Sequence, residues 1–159
     1  MLLKKFRQTG PDVIFLIFMV QLVIWIGAFV NPADPSVNDY NTRPMPLFGI
    51  MVAITGSGRI FGAIIAFITV ILVSFLLVNF NTGVFFISER TFFPALFYIL
   101  ITGLFPVQQV LNPVLPAAVF LVLGVRRIMD SYKIQGTAFT FFDAGVMIGI
   151  GSLFYANLI

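Results

Sequence analysis

"VIFLIFMVQLVIWIGAFV", residues 13–30, is an unbroken apolar run closed by Asn31-Pro32, and its length decides how the chain is read. As a helix these eighteen residues extend about 27 Å, close to the hydrocarbon thickness of a bilayer. Lys4, Lys5 and Arg7 precede the run, as basic residues precede the apolar core of a signal peptide. The run is too long for such a core and ends without a small-x-small cleavage pattern, so it is predicted to stay as a first span. Asp12 is expected to cap its start and to suit the positive end of the helix dipole. Trp25 and Phe29, near its far end, are expected at headgroup level.

The rest of the chain repeats the theme. Of 159 residues 60% are hydrophobic and 9% charged, twenty are phenylalanine, and the mean hydropathy is +1.07. That balance belongs to an integral membrane protein, and the apolar runs lack the alternation of a β-barrel. The expected fold is an all-α polytopic integral membrane bundle, a single transmembrane domain with about five transmembrane helices and one interfacial helix. Spans are predicted over 13–30, 60–78, 92–106, 110–125 and 140–158. The third and fourth are short, and form either a tight hairpin of two crossings or a re-entrant hairpin. Residues 47–55 are too few to cross and read as an interfacial or re-entrant piece, counted here as the interfacial helix.

Turns are expected at Asn79-Phe80-Asn81-Thr82-Gly83 and at a loop holding Arg126, Arg127, Asp130 and Lys133. Thr91 is expected to cap the third span, whose first turn tolerates Pro94. Gly56-Ser57-Gly58 lacks the preceding strand and the Lys-Ser/Thr pair of a phosphate loop, and reads as a hinge.

Charge sets the sidedness. Placing the N-terminus inside puts Lys4, Lys5, Arg7, Arg90, Arg126, Arg127 and Lys133 on the inner side and only Arg43 and Arg59 outside. The expectation is a multi-pass protein of the cell inner membrane with a cytoplasmic N-terminus. The net charge of +3 is an orientation signal with no basic stripe for nucleic acid. With no cysteine and no histidine, thiolate nucleophiles, haem ligation and the usual zinc sites are excluded, and no metal site is assigned.

Few residues are left to carry chemistry. "NPADPSVNDYNTRPMP", residues 31–46, is a polar stretch on the outer side holding Asp34, Asp39 and Arg43. A carboxylate near the bilayer surface can act as a general base or hold a divalent cation against a phosphate leaving group. The plain alternative is a solvated loop whose acids start turns. Arg59, at the outer edge of the second span, either adds positive charge for a lipid phosphate or snorkels to headgroups. Glu89 and Arg90 read as an interfacial anchor or as phosphate-headgroup recognition. Asp143 suits a helix start near the inner interface. Gly145 and Gly149 form a GxxxG face that permits close helix packing.

In order, these features resemble the front half of the GT-C class of polytopic glycosyltransferases. "PADPSVNDYNTRP" is similar to that class's acidic first outer loop and "LFGIMVAITG" to its interfacial helix. "ERTFFPALFYILITGLFP" stands where its third span would, and "FDAGVMIGIGSLFY" resembles its small-residue-rich helix. The last two stretches also resemble an uncharacterised family of bacterial polytopic membrane proteins. The likeness implies a transferase using a polyprenyl-phosphate-linked sugar at the extracytoplasmic face. Asp34 or Asp39 would be the base or the ligand of a divalent cation, and Arg43 and Arg59 would bind phosphate. The class has more helices than this chain supplies, so the likeness implies either the N-terminal part of a longer protein or an analogy that stops at the fold. The alternatives are a non-catalytic subunit that packs against other membrane subunits through Gly145 and Gly149, and a small transporter component built on the proline-interrupted third and fourth spans.

Overall fold

The computed structural model describes residues 10–32, 45–55, 58–84, 91–105, 109–133 and 138–156. Among them there are six helices and no strand: α1 (Pro11–Val30), α2 (Pro46–Thr55), α3 (Arg59–Val84), α4 (Phe93–Leu104), α5 (Val114–Lys133) and α6 (Ala138–Ser152). Only α1 and α3 are both long and apolar enough to cross a membrane. The α4 helix, at twelve residues, extends about 18 Å.

The start of α1 differs in detail from its expected cap. Gly10 is the N-cap, Pro11 takes the first helical position, and Asp12 lies inside the first turn. Proline wins that place because its ring presets the helical φ and its missing N–H leaves no bond unmade. Asp12 keeps its favourable place near the helix dipole. The Trp25 side chain is 1% exposed and turned into the bundle.

Around Trp25 the first three longer helices meet. Its ring lies edge-on to Phe67 of α3 with centroids 5.5 Å apart, and Phe18 and Phe29 also pack on Phe67, at 5.9 and 5.5 Å. Gln21, one turn before Trp25 and fully buried, donates from Nε2 to the Phe67 carbonyl at 3.0 Å. Ala66, Val70, Ala95 and Ile99 belong to the same buried cluster. Large apolar side chains point the other way. Phe15, Val23 and Ile26 of α1, and Phe61 and Ile68 of α3, are at least half exposed. Only 22% of the apolar stretch of α1 and 39% of that of α3 is buried, the opposite of a helix at the core of a water-soluble protein.

Specific contacts set the helix directions. Pro11 and Ile14 of α1 share a hollow with Ile71 and Phe75 of α3, while Trp25 and Phe29 reach back to Phe67, so α1 and α3 are antiparallel. The α4 helix runs with α1, since its late Gly103 meets Ile24. Gln109 Nε2 then donates to the carbonyls of Ile24 and Gly103, at 3.4 and 3.1 Å, so α5 begins at the end where α1 and α4 finish. The α6 helix returns against α5, with Phe120 stacked on Phe154 at 5.7 Å and Gly124 against Ile148.

Several boundaries depart from the sequence expectations. Residues 79–83 are helical, because α3 continues to Val84. The weak propensities of Asn, Thr and Gly cost under about 1 kcal/mol per residue, too little to end a helix already propagating. Thr91 does not cap α4; Phe92 holds the N-cap position without a side-chain bond, and the Thr91 hydroxyl is buried and unbonded. Pro94 does sit in the first turn. The next helix starts at Val114 instead of residue 110, where buried Asn112 accepts the Leu115 N–H through Oδ1 at 3.0 Å and Pro113 follows it.

The loop expected at Arg126, Arg127, Asp130 and Lys133 is helix as well. No glycine or proline follows Gly124 before Lys133, arginine and lysine are good helix formers, and Arg126 pairs with Asp130 one turn on. Finally, α6 ends at Ser152, short of residue 158. There the bonding tightens to Leu153 N–H on the Ile150 carbonyl and Phe154 N–H on that of Gly151, and Ser152 Oγ binds the Gly149 carbonyl.

Candidate functional site

Most charged residues singled out in the sequence lie outside the described residues: Asp34, Asp39, Arg43, Glu89 and Arg90. Arg59 is the first residue of α3 and is exposed. Near it in the chain, α2 is tied to the end of α6 by the Leu47 N–H, which donates to the Leu153 carbonyl at 3.3 Å. The segment following the acidic stretch therefore returns to the end of the bundle at which α6 finishes. Asp143 is exposed on α6.

Gly145 and Gly149 also lie on α6, and a Cβ added at either would meet nothing within 4 Å. The GxxxG spacing is present, but no other helix among the described residues occupies it. The close approaches fall on other glycines. A Cβ at Gly103 would run into Ile24, and one at Gly124 would lie 2.8 Å from Ile148 Cγ1.

A different cluster emerges on α5. Leu123, Arg126, Arg127 and Asp130 follow the i, i+3, i+4, i+7 spacing of a single helix face, and with Met147 of α6 they line a cavity of about 290 Å³. Arg126 Nε stands 3.7 Å from Asp130 Oδ2, with the two side chains 32% and 35% exposed. The pair is solvent-screened and of small energetic worth, but it orients Arg126 across the face. The spacing was readable from the sequence once the segment was taken as helix. Met147 was not, since it arrives from the neighbouring helix.

Two further polar groups sit deep in the bundle without partners, Gln21 Oε1 and Trp25 Nε1, one turn apart on α1. Among the described residues no three metal-ligating side chains gather. Compared with known proteins, the chain matches no protein-family model, no curated protein and no solved structure.

Proposed function

We propose that the protein is a multi-pass bundle of the inner membrane with its N-terminus cytoplasmic, acting as a subunit that packs against further membrane helices through α6. The alternation of helix directions supports about five crossings. In that arrangement α1 runs outward, α3 returns, α4 runs outward, α5 returns and α6 ends outside, beside the start of α2. The positive-inside bias fits the same orientation.

The open glycine face of α6 carries the subunit reading. Gly145 and Gly149 leave a groove into which a second helix can approach to backbone distance, and in lipid such packing is what drives helices together. Phe139 and Phe142 are also left exposed on α6, at 81% and 70%. Replacing Gly145 and Gly149 with leucine is expected to leave the fold intact, because a Cβ at either position meets nothing within 4 Å. The same change should abolish recovery of a bound membrane protein, or of a second copy, after gentle detergent extraction. A wild-type protein that is monodisperse and partner-free would overturn the reading.

A second reading, a GT-C-like transferase, is favoured by the Leu47 to Leu153 bond. That bond brings α2 to the end of the bundle where α6 finishes, which is the outer end in the proposed orientation, with Arg59 opening the next helix. Here Asp34 or Asp39 acts as base or cation ligand, and Arg43 and Arg59 bind the phosphate of a polyprenyl-phosphate-linked sugar. This rests on fold-level analogy. Changing both acids to asparagine should then abolish sugar transfer at unchanged folded yield, and undiminished transfer would remove the assignment.

A further inference from the structure

We infer that the cavity between α5 and α6 is a headgroup site for an anionic phospholipid of the cytoplasmic leaflet. Its lining holds two guanidinium groups and one carboxylate, from Arg126, Arg127 and Asp130, and so carries one net positive charge. A phosphodiester carries one negative charge and matches it. The planar guanidinium forks present paired N–H donors to phosphate oxygens, a stronger contact than a point charge makes. Asp130 can accept a hydrogen bond from a headgroup hydroxyl, which favours phosphatidylglycerol over a choline headgroup whose fixed positive charge the arginines repel.

The remaining lining is apolar. Leu123 and Met147 offer a surface for the glycerol backbone and the first methylenes, which a free phosphate ion cannot use. At about 290 Å³ the cavity takes a headgroup and not a whole lipid, leaving the tails outside on α5. Basic pockets between membrane helices on the cytoplasmic side are general sites for acidic headgroups, and this one is built from a single helical face closed by one neighbour.

The inference shares with the proposed function only the membrane-embedded bundle and its orientation, and does not depend on the glycine face of α6. The test uses the full chain, delipidated in detergent and titrated with phosphatidylglycerol or with phosphatidylcholine of identical tails, bound lipid being counted by native mass spectrometry. The wild type is expected to prefer phosphatidylglycerol by about tenfold or more. Arg126→Gln with Arg127→Gln should bring the ratio close to one, and Arg127→Gln alone, which leaves the Arg126–Asp130 pair in place, should lower it roughly fivefold. Equal binding of the two lipids by the wild type, or a preference that survives loss of both arginines, would overturn the site. Displacement of phosphatidylglycerol by millimolar inorganic phosphate would also overturn it, by assigning the cavity to the free ion. Loss of the partner in the α6 glycine variant with lipid preference intact would separate the two readings.

Discussion

Replacing Trp25 with alanine is expected to destabilise the bundle by about 3 kcal/mol, the low end of the range for removing a buried large aromatic. The ring is 1% exposed and bridges α1 to Phe67 of α3, so its removal leaves a cavity between two long helices that cannot close without moving a backbone. The low end applies in the proposed membrane setting, where separated helices meet lipid or detergent tails and not water. Lost packing then dominates, and the transfer of apolar area from water adds little. Trp25→Phe gives the informative contrast. It keeps an aromatic against Phe67 and removes the buried indole N–H that has no acceptor, a group worth about 1–3 kcal/mol when left unsatisfied. The smaller ring leaves a small void, so the two effects should nearly cancel. Thermal unfolding in detergent, followed by circular dichroism because Trp25 is the only tryptophan, would measure both. An alanine variant within about 0.5 kcal/mol of wild type would mean that the cluster around Phe67 does not hold α1 to α3.

The second large effect is expected at Gly103. Alanine in place of glycine inside a helix normally gains about 1 kcal/mol, so the sign of each glycine substitution reports the space around it. At Gly103 the added methyl meets the Cγ2 of Ile24, a branch at the stiff base of the side chain that cannot swing away. Relief requires α4 to move off α1, which also pulls apart the carbonyls of Ile24 and Gly103 that Gln109 ties together. A net loss of about 1–3 kcal/mol is expected for Gly103→Ala, and a larger one for Gly103→Val. Gly124→Ala should be milder, because the nearest atom there, Ile148 Cγ1 at 2.8 Å, stands further off than the nearest atom at Gly103. Gly145→Ala should stabilise slightly. Equal stability of the Gly103 and Gly145 variants would contradict the close approach of α1 and α4.

The limits of the helices show where local information suffices. The first helix was legible almost to the residue, because an uninterrupted apolar run between Gly10-Pro11 and Asn31-Pro32 leaves its backbone groups only one another to bond. The turn expected at residues 79–83 was misread because Asn, Thr and Gly carry small penalties that a helix already formed on its first five turns absorbs. Arginines and an aspartate at 126–130 suggested a solvated loop by polarity. Their spacing, the better guide, places them on one face of a continuing helix.

Helicity of the described segments and the outward turn of apolar surface on the long ones were readable from the amino acids alone, because chain composition and the period of backbone bonding are local properties. The sequence could not say which small residues lie at helix contacts. The GxxxG spacing of Gly145 and Gly149 describes one helix surface, and that surface is open, while Gly103 and Gly124 acquire close neighbours from Ile24 and Ile148 across the bundle. The same holds for the cavity at Arg126 and Arg127, which exists only because α6 brings Met147 across from α5. Contact between residues far apart in the chain depends on where a second helix lies, and only the packed tertiary structure decides that.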